Sequence, residues 1–310
     1  MIVVERAAPL LTVQDRGRFG YLTAGVTRSG PLDALALEVA NAIVGNTGDA
    51  AALEGCQGGA VFRCEREALF TITGADVTAT LNGSPIDSYT PYTARAGDAI
   101  AIERLVRGAI WYVAVRGGID VPTVLGSRAT LLSAGLGGVA GAPIRVGARL
   151  GVIPAPAHER PRGAAPTELR SPLDAVAVPL CPGPRSDALD EAEWEAFFQS
   201  TFTVSHSVSR VGYRLQGPPL PSRLTADLPS EPACAGAMQL PPEGQPIVLM
   251  ADFPTIGGYP VIGVVPAHAL GWLAQRPPGA AVRFERVSIT GAIEARLRVR
   301  GVLSKWMSYG

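Results

Sequence analysis

Two short stretches of the chain combine charged side chains with glycines, and these are where the sequence offers chemistry. The first carries Gln14, Asp15 and Arg18 among glycines, directly before a predicted helix. Polar groups on a glycine-bent backbone at a helix N-terminus can present hydrogen-bond donors to a small anionic or amide ligand. A salt-bridged surface loop accounts for the same residues. The residues themselves leave both interpretations open.

The second stretch, residues 251–260, follows a predicted strand and brings a carboxylate, two hydroxyls and a glycine pair into one loop. These are Asp252, Thr255, Tyr259, Gly257 and Gly258. The glycines free the backbone to approach a ligand. A strand-end loop with a glycine pair is also an ordinary turn. Both a binding loop and a purely structural turn are therefore compatible with this pattern.

Arg210 and Arg214 form a third candidate because their spacing is expected to place them on one face of either a helix or a strand. Two arginines on one face can clamp a carboxylate or a phosphate. The alternative is a structural ion pair with Asp187 or Glu191.

The helix behind the first stretch is predicted from its own pattern. Gly30 is an acceptable N-cap, Pro31 suits the first helical position, and Asp33 falls in the first turn, where the helix dipole favours a negative charge. Apolar residues then recur at spacings of three and four, and Gly45 is a natural end. The apolar positions are Leu32, Leu35, Val39 and Ile43.

Composition restricts the class of protein. A chain of 310 residues, 47% hydrophobic and 17% charged, predicts a globular protein of two domains. The formal net charge of zero argues against nucleic acid or an anionic membrane surface as a partner. No apolar run reaches the roughly 20 residues of a membrane span, and the N-terminus does not resemble a signal peptide, so we expect a cytoplasmic location.

Lys305 is the only lysine of the chain. A Walker phosphate-binding loop, which requires a lysine, is therefore excluded. No lysine suits biotin attachment, so any biotin would have to arrive on another chain. The glycine pattern of Gly135, Gly137 and Ala140 imitates a dinucleotide fingerprint but lacks the strand–helix–strand context of such a site.

The remaining pattern predicts a mainly β chain with a few helices. The predicted strands lie in residues 60–81, with a hairpin turn at Asn82-Gly83, and in 99–102, 109–115, 246–251 and 281–287. Helices are predicted at 187–199, capped by Ser186, and at 267–275. A proline-rich stretch, 154–172, predicts a linker at 161–172 between domains at 1–160 and 173–310. Arg18-x-Gly20-Tyr21 in one half echoes Arg210-x-Gly212-Tyr213 in the other.

Motifs along the whole length resemble one known family. The signature reads Thr12-Val13-Gln14-Asp15, Gly17-Arg18, Gly20-Tyr21, Gly25-Val26, Asp33, Ala40-Asn41 and Val44-Gly45-Asn46; later matches are Arg116 to Ile119, Leu125 to Arg128, Arg210 to Leu215, Ser230 to Pro232, Gly244 to Leu249 and Gly257 to Pro260. The family is variously called the C subunit of 5-oxoprolinase, KipA, the second subunit of allophanate hydrolase or biotin-dependent carboxyltransferase. The resemblance implies two tandem cyclophilin-like β-barrel domains.

The resemblance also implies a function. Such a chain would be one subunit of an ATP-dependent enzyme that opens 5-oxo-L-proline to L-glutamate. Its partners would be a smaller KipI-like protein (the B subunit) and a third protein (the A subunit), with ATP and Mg²⁺ as cofactor. In that hypothesis Arg18, Arg210 and Arg214 hold the substrate carboxylate or phosphates. Asp15, Asp33 or Asp252 hold magnesium or accept a proton, and the Gly257-Gly258 backbone donates to an oxyanion. Gln14, Thr255 and Tyr259 complete the expected binding residues; a metal site is not assigned.

Two alternatives come with the same resemblance. One is the carboxyltransferase part of a urea carboxylase in an allophanate pathway, in which biotin on another chain delivers the carboxylate. The other is a non-catalytic antagonist that binds a KipI-like kinase inhibitor. The sequence also departs from the family pattern at Ser209, Pro254, Ile256, Ala142 and Ala148, and two of these positions lie in the second stretch.

Overall fold

The computed structural model describes residues 1–155, 160–173, 177–221 and 228–308. Within these residues the chain forms twenty strands and four α-helices, which confirms the predicted mainly β class. It divides into two compact units. The first comprises residues 1–19, 29–171 and 300–310, and the second comprises residues 20–28 and 172–299.

The first unit is a ten-stranded antiparallel sheet with one helix, α1 (Ala34–Val44). Its strands are β1 (Ile2–Arg6), β2 (Thr12–Gln14), β3 (Ala52–Cys56), β4 (Ala60–Cys64), β5 (Ala68–Leu81), β6 (Ser84–Ile86), β7 (Tyr92–Ala94), β8 (Ala99–Val115), β9 (Ile119–Asp120) and β10 (Arg149–Val152). The order is β2-β3-β8-β4-β1-β10-β9, and β5 pairs with β6, β7 and β8.

The long pairing of β5 with β8 shapes this sheet into a barrel-like layer. It runs from Phe70 opposite Val115 to Leu81 opposite Ile100, with register shifts near Gly74 and Thr78. Such irregularities bend a strand and increase its twist, so the sheet curls around an apolar core. Large buried members of that core are Phe62, Phe70, Ile72, Ile100, Ile102 and Trp111.

Three local predictions for the first unit can be compared with its structure. Residues 60–81 form two strands, and Asn82 and Gly83 take the left-handed conformations, φ 51° and 80°, expected of a tight hairpin. The strands predicted at 99–102 and 109–115 are instead one continuous strand, β8. Its exposed middle section carries charges, which conceal the continuity in the sequence.

Helix α1 begins at Ala34 rather than at Pro31, so the predicted N-cap, Gly30, is wrong. Asp33 is the N-cap, and its Oδ1 accepts a hydrogen bond from the Ala36 amide at 3.1 Å. A carboxylate satisfies an unpaired helix amide, which Gly30 has no side chain to do. The helix ends at Gly45 in the left-handed conformation, as predicted.

The second unit contains an eight-stranded sheet, a two-stranded ribbon and helices α2 (Glu191–Gln199) and α3 (Leu270–Ala274). The strands are β11 (Val178–Pro182), β12 (Phe202–Val204), β13 (Gly212–Gln216), β14 (Glu231–Pro232), β15 (Ala237–Gln239), β16 (Ile247–Leu249), β17 (Ile256–Gly257), β18 (Val261–Val264), β19 (Ala281–Val282) and β20 (Phe284–Arg286). The large sheet has the order β19-β12-β13-β16-β15-β18-β11-β20, and β14 pairs with β17. The two curled sheets confirm the prediction of two barrel-like domains.

Helix α2 is shorter than predicted. It begins at Glu191 with Asp190 as its N-cap, and Asp190 and Glu193 form a reciprocal capping box. The predicted cap, Ser186, lies instead in a short 3₁₀ turn, Ser186–Ala188. Two reciprocal hydrogen bonds at Asp190 favour this start over the single bond a serine cap supplies.

A fourth helix, α4 (Ile289–Ser308), has no counterpart among the predicted elements. Its apolar residues are interspersed with arginines, and two glycines, Gly291 and Gly301, lie within it. None of the helices in the described part of the chain combines the length and apolar character needed to cross a membrane.

Most of the predicted linker packs as part of the first unit. The Arg162 amide donates to the Ile43 carbonyl at 2.9 Å, the Ala165 amide donates to the Tyr89 carbonyl at 3.0 Å, and Leu169 is fully buried. The first unit therefore extends to residue 171 rather than to 160. Residues 156–159, within the proline-rich stretch, lie outside the described residues.

Candidate functional site

Asp15 follows β2 and is held by the chain itself. Its Oδ1 accepts hydrogen bonds from the Gly17 amide at 2.8 Å and the Ser127 hydroxyl at 2.5 Å, and its Oδ2 accepts from the Arg128 amide. The side chain is buried. Three donors on one buried carboxylate fix the loop 15–18 against the segment 127–130, so this geometry favours a positioning role.

Gln14 and Arg18 converge on the same segment. The Gln14 Nε2 donates to Thr12 Oγ1 and to the Thr130 carbonyl, both at 3.1 Å. Arg18 is 1% exposed and donates to the Ala129 carbonyl. The Ser29 hydroxyl adds a bond of 3.0 Å to the Thr130 carbonyl. The structure therefore brings three predicted residues of the first stretch together around one buried loop.

Asp33, the fourth predicted residue of this region, belongs to a second buried network. The Tyr112 hydroxyl donates to Glu54 Oε2 at 2.6 Å and accepts from the Asp33 amide at 2.9 Å. Glu54 Oε2 also accepts from the Leu32 amide at 2.9 Å. Burial, followed by the charges of Glu54 and Asp33, raises the pKa of Tyr112 well above its usual 10. The network fixes the start of α1.

Glu54 and Tyr112 were not predicted as site residues. The sequence feature that could have identified Glu54 is its carboxylate within the apolar strand Ala52–Cys56, because a buried acid requires hydrogen-bond donors. Identifying those donors as Tyr112 and Leu32 requires the fold, since Tyr112 is 58 residues away along the chain.

An open cleft of about 550 Å³ lies in the first unit beside the segment 127–130. Its wall is the glycine-rich segment 135–141, with Asp120, Val121, Arg149 and Leu150 among the other lining residues. A Cβ on Gly137 would overlap the Ala129 carbonyl and Arg18, and a Cβ on Gly138 would overlap Thr130 Oγ1. The cleft wall is therefore packed from behind by the Arg18 region, and the pattern that imitated a dinucleotide fingerprint serves this packing.

Two charged side chains, one acidic and one basic, line this cleft. The Asp120 carboxylate is exposed and makes no ion pair with any described residue, whereas Arg149 pairs with Glu65. The amides of Gly137 and Ala140 donate no hydrogen bond to the described part of the chain. The cleft thus combines an unpaired acceptor with two available donors.

In the second unit, Arg210 and Asp252 form a buried bidentate ion pair. Arg210 Nε lies 3.1 Å from Asp252 Oδ2, and its Nη2 lies 3.1 Å from Oδ1; the two side chains are 8% and 2% exposed. The Asp252 amide also donates to the Arg210 carbonyl at 2.8 Å. The structural alternative, an ion pair of Arg210 with Asp187 or Glu191, named the wrong partner: Glu191 pairs with Arg286 at 2.8 Å.

Arg214 does not share a face with Arg210, so that prediction is wrong. Strand β13 begins only at Gly212, and Arg214 lies exposed on it between the buried Tyr213 and Leu215. Arg210 precedes the strand and turns inward to Asp252. The regular two-residue alternation of a strand does not extend back to Arg210.

The rest of the second stretch is more accessible. Gly257 lies in the ribbon opposite Glu231, and a Cβ there would collide with the amide nitrogen of Gln239. Thr255 is half-buried, and Gly258 and Tyr259 are exposed. The residues therefore form an exposed loop in which a buried amide, Gln239, packs directly against the glycine backbone.

The three carboxylates expected to hold magnesium do not converge on one shared metal site. No three His, Cys, Asp or Glu side chains converge as a metal site among the described residues. Asp15 and Asp33 accept bonds from amides of the chain, and Asp252 is paired with Arg210. Each of these three carboxylates therefore already has a partner within the chain.

With this fold and these sites in place, comparison with known proteins assigns the class. The family described as "carboxyltransferase domain, subdomain A and B" matches residues 24–286. The chain belongs to this family.

Particular relatives narrow the assignment. The chain is 36% identical to the C subunit of 5-oxoprolinase from Escherichia coli (strain K12) over 297 residues, which cover 96% of this chain and 94% of that one. It is 34% identical to the C subunit of 5-oxoprolinase from Haemophilus influenzae over 293 residues, covering 92% and 91%. Among solved structures, the Kluyveromyces lactis urea carboxylase superposes with a TM-score of 0.93 at 28% identity, over 98% of this chain and 29% of that one.

Proposed function

We propose that this chain is the C subunit of a cytoplasmic 5-oxoprolinase, which works with a smaller KipI-like protein and a third protein to open 5-oxo-L-proline to L-glutamate. The observation that carries the proposal is the match to the Escherichia coli protein, 36% identical over nearly the full length of both chains. A relative matched from end to end shares the whole architecture, so its role is the first expectation for this chain.

The reaction requires activation of a poor electrophile. An unstrained lactam resists attack by water, and ATP supplies a phosphoryl group that turns the amide oxygen into a leaving group. The proposal leaves ATP and Mg²⁺ to the partner proteins, because Asp15, Asp33 and Asp252 each have a partner within this chain. The residues of this chain then bind and orient the lactam.

The cleft of the first unit suits a small cyclic amide acid. In this proposal the Asp120 carboxylate accepts the lactam N–H, and the amides of Gly137 and Ala140 donate to substrate oxygens. The cleft wall is supported on the side away from the ligand by Asp15, Gln14 and Arg18, which fix the segments that hold the glycine-rich wall. The exposed loop with Thr255, Gly258 and Tyr259 is the second place where a ligand can meet donors.

The experiment is glutamate release from 5-oxoproline by this chain, with and without ATP and the two partner proteins. We expect release only with ATP and all three proteins. Asp120→Ala should raise KM for 5-oxoproline by about ten- to a hundredfold, since a hydrogen bond to a charged group contributes about 1.5–3 kcal/mol. Glu103→Ala, which removes an exposed acid from β8, is the matched control and should change nothing.

Absence of release from the complete mixture would contradict the proposal. If release occurs but Asp120→Ala behaves as Glu103→Ala does, the cleft is not where the lactam binds. Tyr259→Phe and Thr255→Val then test the exposed loop of the second unit by the same KM measurement.

A second function is favoured by the structural match to urea carboxylase, which spans 98% of this chain. In that case the chain transfers a carboxylate from carboxybiotin to urea. Lys305 is the only lysine and lies near the end of α4, so the biotin belongs to a separate carrier. Loss of label from a ¹⁴C-carboxybiotin carrier that depends on urea and on this chain would support it, and loss that depends on neither would exclude it.

A further inference from the structure

Two opposite charges, Asp120 and Arg149, lie on one face of the paired strands β9 and β10. The strands pair so that Gly151 is directly opposite Asp120. Arg149 precedes Gly151 by two residues, so it lies on the same face of the sheet. The intervening Leu150 is buried on the other face, as is Ile119 of β9. Both charged residues line the cleft of the first unit.

The spacing of these two charges leaves room for a ligand between them. Diagonal neighbours on adjacent antiparallel strands have Cα atoms about 7–8 Å apart. A Cβ on Gly151 would lie 3.4 Å from Asp120 Oδ2, so the glycine leaves open the surface that a side chain would cover. Asp120 makes no ion pair with any described residue, Arg149 included.

Arg149 is held only loosely by its present partner. Its side chain is 59% exposed, and its Nη2 pairs with Oε1 of Glu65, which is 28% exposed. An ion pair this open to water contributes little to stability, because solvent screens it. A carboxylate that enters the cleft can therefore replace Glu65 and meet the planar guanidinium, which binds carboxylates through two parallel hydrogen bonds.

The charge balance of the cleft indicates which ligand this arrangement fits. Asp120 alone would repel an acid, and Arg149 is the one cation among the described residues that line the cleft. In 5-oxoproline the ring N–H and the carboxylate are attached to the same carbon atom. A group that accepts an N–H beside a group that binds a carboxylate matches that pair. The amides of Gly137 and Ala140 are then left for the ring carbonyl oxygen.

We infer that Arg149 binds the substrate carboxylate and that Glu65 competes for the same guanidinium. The cleft thereby selects lactams that carry a carboxylate beside the ring nitrogen over lactams that lack one. The inference rests on the proposed function for the identity of the substrate, and it adds the residue that recognises the acid group and the residue that opposes its binding.

The test uses the complete mixture of three proteins with ATP. It measures KM for 5-oxo-L-proline and the inhibition constant of 2-pyrrolidinone, the same lactam without the carboxylate. Arg149→Met should raise KM about tenfold or more, because it removes a charge-assisted hydrogen bond, and should leave the inhibition constant within about twofold. Glu65→Gln should lower KM about two- to threefold, because the competing charge is gone. Arg145→Met removes an exposed arginine that does not line the cleft and should change neither constant.

Opposite shifts of KM in Arg149→Met and Glu65→Gln would support the inference, because the loss of a purely structural ion pair would shift KM in the same direction in both variants. If glutamate is released but the two variants shift KM alike or not at all, the inference is wrong and the proposed function stands. The same holds if Arg149→Met raises the inhibition constant of 2-pyrrolidinone as much as it raises KM. No glutamate release from the wild-type mixture would overturn the proposed function, and the inference with it.

Discussion

The tetrapeptide pattern Arg-x-Gly-Tyr occurs twice and begins each time with a buried arginine, Arg18 in the first unit and Arg210 in the second, but the two arginines are held differently. Arg18 donates to a backbone carbonyl, while the nearby Asp15 carboxylate accepts from two amides and a hydroxyl. Arg210 instead meets the carboxylate of Asp252 directly. In the first unit the charged side chains of Arg18 and Asp15 hold the backbone of a loop in place. In the second unit the charges of Arg210 and Asp252 neutralise each other.

The local structure around the two patterns differs as well. Tyr21 precedes a 3₁₀ turn at Leu22–Ala24, whereas Gly212 and Tyr213 begin strand β13. A repeated pattern therefore does not guarantee a repeated conformation. The groups that the surrounding chain offers to each arginine decide its role, and variants at Asp252, Asp15 and Arg214 test that conclusion.

The largest effect is expected from Asp252→Ala. It leaves the Arg210 guanidinium buried without its carboxylate, and breaking a buried pair costs about 3–5 kcal/mol in the free energy of unfolding. Urea denaturation followed by tryptophan fluorescence measures it. The double variant Arg210→Met/Asp252→Leu should recover most of the loss; if it is as unstable as Asp252→Ala, charge neutralisation is not what the pair provides.

Asp15→Ala should have the next largest effect. Three donors lose their acceptor, and buried unsatisfied donors cost about 1–3 kcal/mol each, so a loss of about 3 kcal/mol is expected after partial rescue by water. Ser127→Ala removes one of these bonds together with the bond that the Ala129 amide donates to the Ser127 hydroxyl, and should cost about 2 kcal/mol. Equal losses for the two variants in urea denaturation would argue against the shared anchoring of loop 127–130.

Asp33→Ala tests the boundary of α1. Loss of the cap to the Ala36 amide should cost about 1 kcal/mol. Asp33→Asn, which keeps a capping oxygen, should cost much less. Helix content by circular dichroism and the urea midpoint report both. A larger loss for Asn than for Ala would mean that Asp33 does not act through the cap.

The smallest effect is expected from Arg214→Ala. The side chain lies on the solvent side of β13, and exposed substitutions of this kind usually change stability by less than about 0.5 kcal/mol. The same urea measurement applies. A loss approaching that of Asp252→Ala would show that Arg214 belongs with the buried pair after all.

Local rules predicted a substantial part of this molecule. The hairpin at Asn82-Gly83 and the end of α1 at Gly45 were predictable because glycine and asparagine tolerate left-handed backbone. The grouping of Gln14, Asp15 and Arg18 was predictable because they are adjacent. Helix α4 was not predicted, because arginines and two glycines among its apolar residues weaken the helical periodicity.

The sequence by itself determined the mainly β class, the absence of a Walker loop and the two stretches that concentrate charge and glycine. Only the tertiary structure decided the partners of those charges. Ser127 lies 112 residues from Asp15, Asp252 lies 42 from Arg210, and Tyr112 lies 58 from Glu54. A buried polar group must find a partner wherever the fold brings one close, and local pattern carries no information about such distant segments.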